Sequence, residues 1–280
     1  MQLTIAKNAE ELQQAVAQRL SGGGRVALIP TMGALHAGHL SLVALARTHA
    51  EHVVMSIFVN PTQFGPNEDF DKYPRDAQAD IAMAERAGVD ILYMPDVADM
   101  YGEGIATRLE VGDIANELCG KTRPGHFNGV ATVVAKLLLR CLPNVAVFGE
   151  KDYQQLCIIR QLVDDLDIPV EIIGAPTMRE ADGLAMSSRN RYLDEESRRI
   201  APKLYEILRL VAQRIAGGQE VEGAIAEGQS LLKYAGFKME YLTLCDAETL
   251  VAQKVFEAPA RLLAAGTLGN TRLIDNVAVE

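Results

Sequence analysis

Two histidines three residues apart, His36 and His39, stand in the run Pro30-Thr31-Met32-Gly33-Ala34-Leu35-His36-Ala37-Gly38-His39-Leu40, just after the apolar stretch Val26-Ala27-Leu28-Ile29. That spacing puts both imidazoles on one side of a helix's opening turn. Gly38 between them has no side chain, so a ligand's phosphates can approach the backbone. A helix N-terminus adds N–H donors and partial positive charge. Together these suit charge developing on a phosphate. Alone, such a pair is more often a surface feature than a catalytic one. The rival use, zinc, needs a third ligand, and His49, His52 and His126 show no partnering spacing.

Further polar residues follow other apolar runs. Asn60 and Gln63 come after the run 53–59 and offer neutral amides that can orient a hydroxyl or a carboxylate. Taken alone, a capped Asn-Pro turn is the plainer reading there. After Val145-Ala146-Val147-Phe148 come Gly149, Glu150, Lys151 and Asp152. Gly149 allows tight passage, Lys151 is a mobile cation, and Asp152 suits ribose hydroxyls or the support of a metal. Farther on, Ser187 and Ser188 precede Arg189-Asn190-Arg191, a pattern that can grip phosphate oxygens by charge-assisted bonds. The familiar GxxxxGK[ST], GxGxxG and GxSxG motifs are absent, so neither hydride transfer nor a covalent nucleophile finds support.

These residues need a scaffold. Short apolar runs at 26–29, 53–59, 90–94, 145–148 and 170–173 alternate with helical stretches near 40–50, 77–87 and 153–166. Strands apolar on both faces and separated by helices predict a doubly wound, Rossmann-like parallel α/β sheet. Ligands in such sheets bind beyond the carboxyl ends of the strands. Past about Thr177 the pattern changes. One long amphipathic helix is expected over Glu195 to Ala216 and another over Val221 to Tyr234. Strands at 239–245, 261–265 and 271–274 should then form a small antiparallel sheet. The expected division is a domain over 1–176 and a smaller α+β domain over 177–280.

Composition narrows the classes. The 280 residues are 49% hydrophobic and 23% charged, with net charge −10, as in an ordinary globular protein. An acidic balance argues against a broad nucleic-acid-binding face, while a local cationic cluster can still hold a small anion. No apolar run approaches a membrane span, and the N-terminus lacks the pattern of a signal peptide. Four scattered cysteines without a CxxC pair fit a reduced, cytoplasmic protein.

Taken in order, PTMGALHAGH, FVNPTQF, RPGHFNGV, FGEKDYQQ and GLAMSSRNRYL, with the Arg272-Leu273-Ile274-Asp275-Asn276 end, resemble the pantoate–β-alanine ligase family. That family belongs to the HIGH-type nucleotidyltransferases, with HAGH standing for HIGH and Met186-Ser187-Ser188-Arg189 for KMSKS. The resemblance implies a two-step ligation of (R)-pantoate and β-alanine with ATP and Mg²⁺, through pantoyl adenylate, releasing pyrophosphate and AMP. It implies an ATP-binding stretch through Met32, Gly33, Ala34, Leu35, His36, Ala37, Gly38 and His39, with His39 as proton donor. Lys151, Ser187, Ser188 and Arg189 would grip the triphosphate. Gly149 and Asp152 would lie near the ribose, Met178 by the adenine, and Glu150 and Met186 elsewhere along the nucleotide. Gln63 and Gln155 would hold pantoate, with Asn60, Tyr73, Arg123 and His126 lining the pocket. The metal ligands are not specified by it. It also implies a homodimer, and an acyl adenylate needing shelter from water suggests that the second domain acts as a lid. The alternatives are another HIGH-type nucleotidyltransferase, which would stop at a nucleotide adduct or need a tRNA-binding face, and a nucleotide-binding scaffold without turnover.

Overall fold

Val26, Ala27, Leu28 and Ile29 have 0% exposure, which requires cover on both faces of their sheet. The structure, a computed structural model, describes residues 2–66, 68–104 and 106–280. In chain order its elements begin β1 (Thr4–Ala6), α1 (Ala9–Leu20), β2 (Val26–Thr31), α2 (Ala37–His49), β3 (His52–Ile57), α3 (Ala77–Ala87), β4 (Ile91–Tyr93) and α4 (Val97–Tyr101). Next come α5 (Cys119–Thr122), α6 (His126–Cys141), β5 (Val145–Gly149), α7 (Tyr153–Asp165) and β6 (Glu171–Ala175). Among the described residues these strands form one sheet in the order β1-β4-β3-β2-β5-β6, and each pairing is parallel.

Leu28 pairs with Val54 on one side and Ala146 on the other. The chain leaves β2 toward β3 and β4 and returns on its opposite flank as β5. The strand order therefore reverses beside β2, where open α/β sheets bind ligands. Inside the fold, Ala27, Ile29, Val53, Met55, Val145 and Val147 meet Leu42, Val43 and Ala46 of α2 in one apolar cluster.

The chain then forms α8 (Glu195–Ile200), α9 (Lys203–Ala216), α10 (Val221–Tyr234), β7 (Lys238–Asp246), β8 (Ala260–Leu268) and β9 (Thr271–Val279). The last three make an antiparallel sheet. Leu204, Leu208, Val211 and Ile215 of α9 share a core with Ala224 and Leu232 of α10 and with Leu244, Leu262 and Ala264 of the strands. The single helix expected over 195–216 is in fact two. Pro202 has no N–H to donate, so α8 stops and α9 restarts with Pro202 as its N-cap.

Two compact units result. One runs to Glu150 and includes Ile158–Pro176; the other joins Lys151–Cys157 to Thr177–Glu280. No described helix is long and apolar enough to cross a membrane. Cys119, Cys141, Cys157 and Cys245 are free and buried.

Candidate active site

The loop after β2 is built around a turn that excludes side chains. Gly33 has φ +79°, and a Cβ there would lie 2.8 Å from Asp80 Oδ2 and 2.9 Å from Ile57 Cγ2. Asp80 of α3 is buried and accepts from Ala34 N at 2.9 Å and Leu35 N at 2.8 Å. Its carboxylate thus takes the two N–H groups just before His36, and the side chains of Ala34 and Leu35 are themselves buried. Those two N–H groups are therefore engaged within the protein.

His36 is the N-cap of α2 and His39 its third residue. Gly38 N donates to His36 Nδ1 at 3.1 Å, and His36 N donates to His39 Nδ1 at 3.2 Å. This is a reciprocal capping box, with imidazoles where Ser/Thr and Glu/Gln usually stand. The rings lie 4.1 Å apart, tilted by 43°. A nitrogen that accepts from a backbone N–H carries no proton, so in each neutral ring the proton sits on Nε2. Both histidines therefore present an Nε2–H donor.

The loop after β3 is held just as firmly. Asn60 is 1% exposed and caps the 3-10 turn Pro61–Gln63. Its Nδ2 donates to Gln63 Oε1 at 3.0 Å and Gly129 O at 3.1 Å. Its Oδ1 accepts from Tyr101 Oη at 2.6 Å and Thr62 Oγ1 at 2.9 Å. That amide is committed to holding Gln63. Gln63 Nε2 in turn lies 3.3 Å from Met32 Sδ, which joins the two loops.

Arg123 and His126 grip the backbone of the same residue. His126 Nδ1 is 2.7 Å from Gln63 O, Arg123 Nη2 donates to that oxygen at 3.3 Å, and Arg123 Nη1 lies 2.8 Å from His126 Nε2. Glu68 takes Arg123 through both oxygens, at 2.7 and 2.5 Å. Desolvation raises the Glu68 pKa, but the Arg123 hydrogen bond and charge outweigh it and hold the carboxyl below its ordinary value. Tyr73 is buried and packs edge-on to Phe64, the residue after Gln63.

Gly149 ends β5, where an added Cβ would meet nothing within 4 Å. Glu150 follows it in the 3-10 turn Glu150–Asp152.

In the second unit, Lys151 Nζ lies 3.8 Å from Asp152 Oδ2, and Gln155 stands half-buried in α7. Met186 N donates to Met178 O at 3.0 Å, and Arg179 bridges to Ala185. This closes a small hairpin that delivers Ser187, the cap of the 3-10 turn Ser188–Tyr192. Ser187 Oγ accepts from Arg189 N at 3.2 Å, and Ser188 is buried.

Asp80, Glu68 and Tyr101 were not anticipated as parts of the site. The only signal for Asp80 was a carboxylate on the apolar side of a helix. Glu68 and Tyr101 carried none, since their partners are distant in sequence.

A family model described as pantoate-beta-alanine ligase matches residues 4–278. A pantothenate synthetase of Rhodospirillum rubrum is 56% identical over 99% of both chains. One from Sphingopyxis alaskensis is 51% identical over 99% of this chain and 100% of its own. The solved pantothenate synthetase of Thermus thermophilus superposes with a TM-score of 0.93 at 46% identity, covering 99% of both chains. A pantoate-beta-alanine ligase from Francisella tularensis, solved with beta-gamma ATP and beta-alanine, gives 0.83 at 39% identity over 99% of this chain and 98% of that one. The chain is a member of the pantoate–β-alanine ligase family.

Proposed function

We propose that the chain carries out the family's ATP-dependent condensation of (R)-pantoate with β-alanine by way of a pantoyl adenylate. The pantoate carboxylate attacks the α-phosphorus of ATP and pyrophosphate leaves. The amine of β-alanine then attacks the carbonyl of that mixed anhydride, giving pantothenate, AMP and a proton. The substrate is the nucleophile, so the protein's work is positioning and charge stabilisation.

The observation that carries this reading is the reciprocal cap of His36 and His39 at the carboxyl edge of β2. It fixes two Nε2–H donors for phosphate oxygens on which charge grows. His39, the proton donor implied by the family resemblance, offers its Nε2 side to those oxygens. We assign Lys151, Ser187, Ser188 and Arg189 to the triphosphate. Met32 and Gly33 open the nucleotide stretch, Gly149 and Asp152 are assigned to the ribose and Met178 to the adenine, with Glu150 and Met186 as further nucleotide contacts. Gln63 and Gln155 hold pantoate, and Asn60, Tyr73, Arg123 and His126 set the Gln63 turn.

Mg²⁺ suits this donor set as a companion of the nucleotide. Among the described residues no three His, Cys, Asp or Glu side chains gather to hold a metal, and Mg²⁺ is commonly held by one or two carboxylates plus substrate phosphates and water. The ion would neutralise charge on the departing phosphates. Four free thiols support a reducing, cytoplasmic setting, and the family resemblance supports a homodimer.

Isotope exchange between pyrophosphate and ATP tests the reading. Exchange should require pantoate, and AMP should accumulate only when β-alanine is added. Exchange without pantoate, or ADP as product, would reject it.

A further inference from the structure

The Arg272–Asn276 segment of β9 takes no part in the chemistry above, yet two of its polar side chains are buried. Asp275 is 4% exposed and Asn276 3%. The Asp275 carboxylate receives both arms of the Arg179 guanidinium, Nη1 at 2.6 Å and Nη2 at 2.9 Å, and also accepts from Asn276 N at 2.8 Å. Arg179 lies 3.5 Å over the Tyr205 ring and donates to Gly183 O at 3.1 Å. It sits in the hairpin that delivers Ser187, Ser188 and Arg189. Asn276 Nδ2 donates to Lys151 O at 3.0 Å, while Asn276 Oδ1 accepts from Arg261 Nε at 2.7 Å. The Arg261 guanidinium in turn stacks 4.1 Å over the Tyr153 ring.

Neighbouring residues of a strand face opposite sides of the sheet, so β9 can hold a different segment with each. A buried ion pair contributes little net stability compared with well-packed apolar residues, and a use for such a pair is to fix geometry. We propose that Asp275 and Asn276 are positioning residues for the nucleotide-activating step. They hold the hairpin of Ser187–Arg189, through Arg179, and the backbone of Lys151 in one fixed register. This rests on the assignment of those four residues to the triphosphate.

The test is steady-state kinetics of the pantoate-dependent exchange in four variants. Asp275→Asn keeps the volume and an acceptor but removes the charge facing Arg179; Asn276→Ala releases Lys151. Each should raise KM for ATP about tenfold or more and leave KM for pantoate within about twofold, since small misplacements of binding groups have effects of this size. A purely structural role would lower kcat through loss of active protein and move neither KM, and that result overturns the proposal. Should Asp275→Asn fail to fold, Arg179→Lys asks the same question of the hairpin. In a Lys151→Ala background, Asn276→Ala should add less than its own effect, because both act through one group. Fully additive effects overturn the proposal. If Lys151→Ala raises KM for ATP while the β9 variants do not, only the positioning role is wrong. If Lys151→Ala leaves it unchanged, the triphosphate assignment fails and the proposal falls with it.

Discussion

An imidazole whose Nδ1 accepts from a backbone N–H carries its donor at Nε2. In this chain that arrangement occurs twice, at His36 and His39, in the turn that starts α2. Asn places its Oδ1 where His carries Nδ1, so His39→Asn keeps an acceptor for His36 N and removes the Nε2–H donor. This variant should fold with parental thermal stability and lose about 10²–10³-fold in kcat for the pantoate-dependent exchange, the size expected for one preorganised donor to developing charge. Parental exchange rates with a parental melting curve would show that the donor is not used. The spacing of these histidines and the Ser-Ser-Arg pattern could be read directly, because the chemistry lies in neighbouring residues. The residues that hold them could not. Asp80 reaches back 45 and 46 positions to Leu35 and Ala34, and Glu68 reaches 55 ahead to Arg123. Sequence spacing does not reveal such distant partners.

A glycine can let one element touch the backbone of another. On α6, a Cβ added at Gly129 would lie 2.4 Å from Thr62 O and 2.8 Å from Gln63 N. Those atoms belong to the backbone of the Gln63 turn, so they cannot rotate away. Gly129→Ala should push this turn off α6, raise KM for pantoate more than KM for ATP, and destabilise by about 1–3 kcal/mol, as overpacking does. Equal change in both constants would contradict the assignment of Gln63 to pantoate. The parallel strands β2 to β6 and the helix α10 were legible because their apolar runs are bounded by plain turn signals. The helix α6 was not recognised. Its residues Phe127, Gly129, Val130, Ala131, Val133, Val134, Ala135, Leu137 and Leu138 are all buried, and its first turn, Gly125-His126-Phe127-Asn128-Gly129, carries residues that read as a loop. The break at Pro202 was missed for the opposite reason: Ile200, Leu204 and Ile207 keep helical spacing across it, and the pattern hides the missing donor. Three-residue β1 is too short to show any period.

At the scale of the whole molecule, a chain of net charge −10 has to bind a nucleotide that is itself strongly anionic. Long-range repulsion is screened beyond roughly 8–10 Å at moderate ionic strength, so the outcome is decided by groups at contact. Lys151, Arg189 and the N-terminus of α2 are the ones we assign. No protein nucleophile is needed if the pantoate carboxylate itself attacks phosphorus, and this makes a prediction about atoms rather than rates. One carboxylate oxygen must leave with the nucleotide when β-alanine displaces it. With pantoate labelled by ¹⁸O in its carboxylate, mass spectrometry of the product should find AMP carrying one ¹⁸O atom. Unlabelled AMP, with label retained only in pantothenate, would contradict the account.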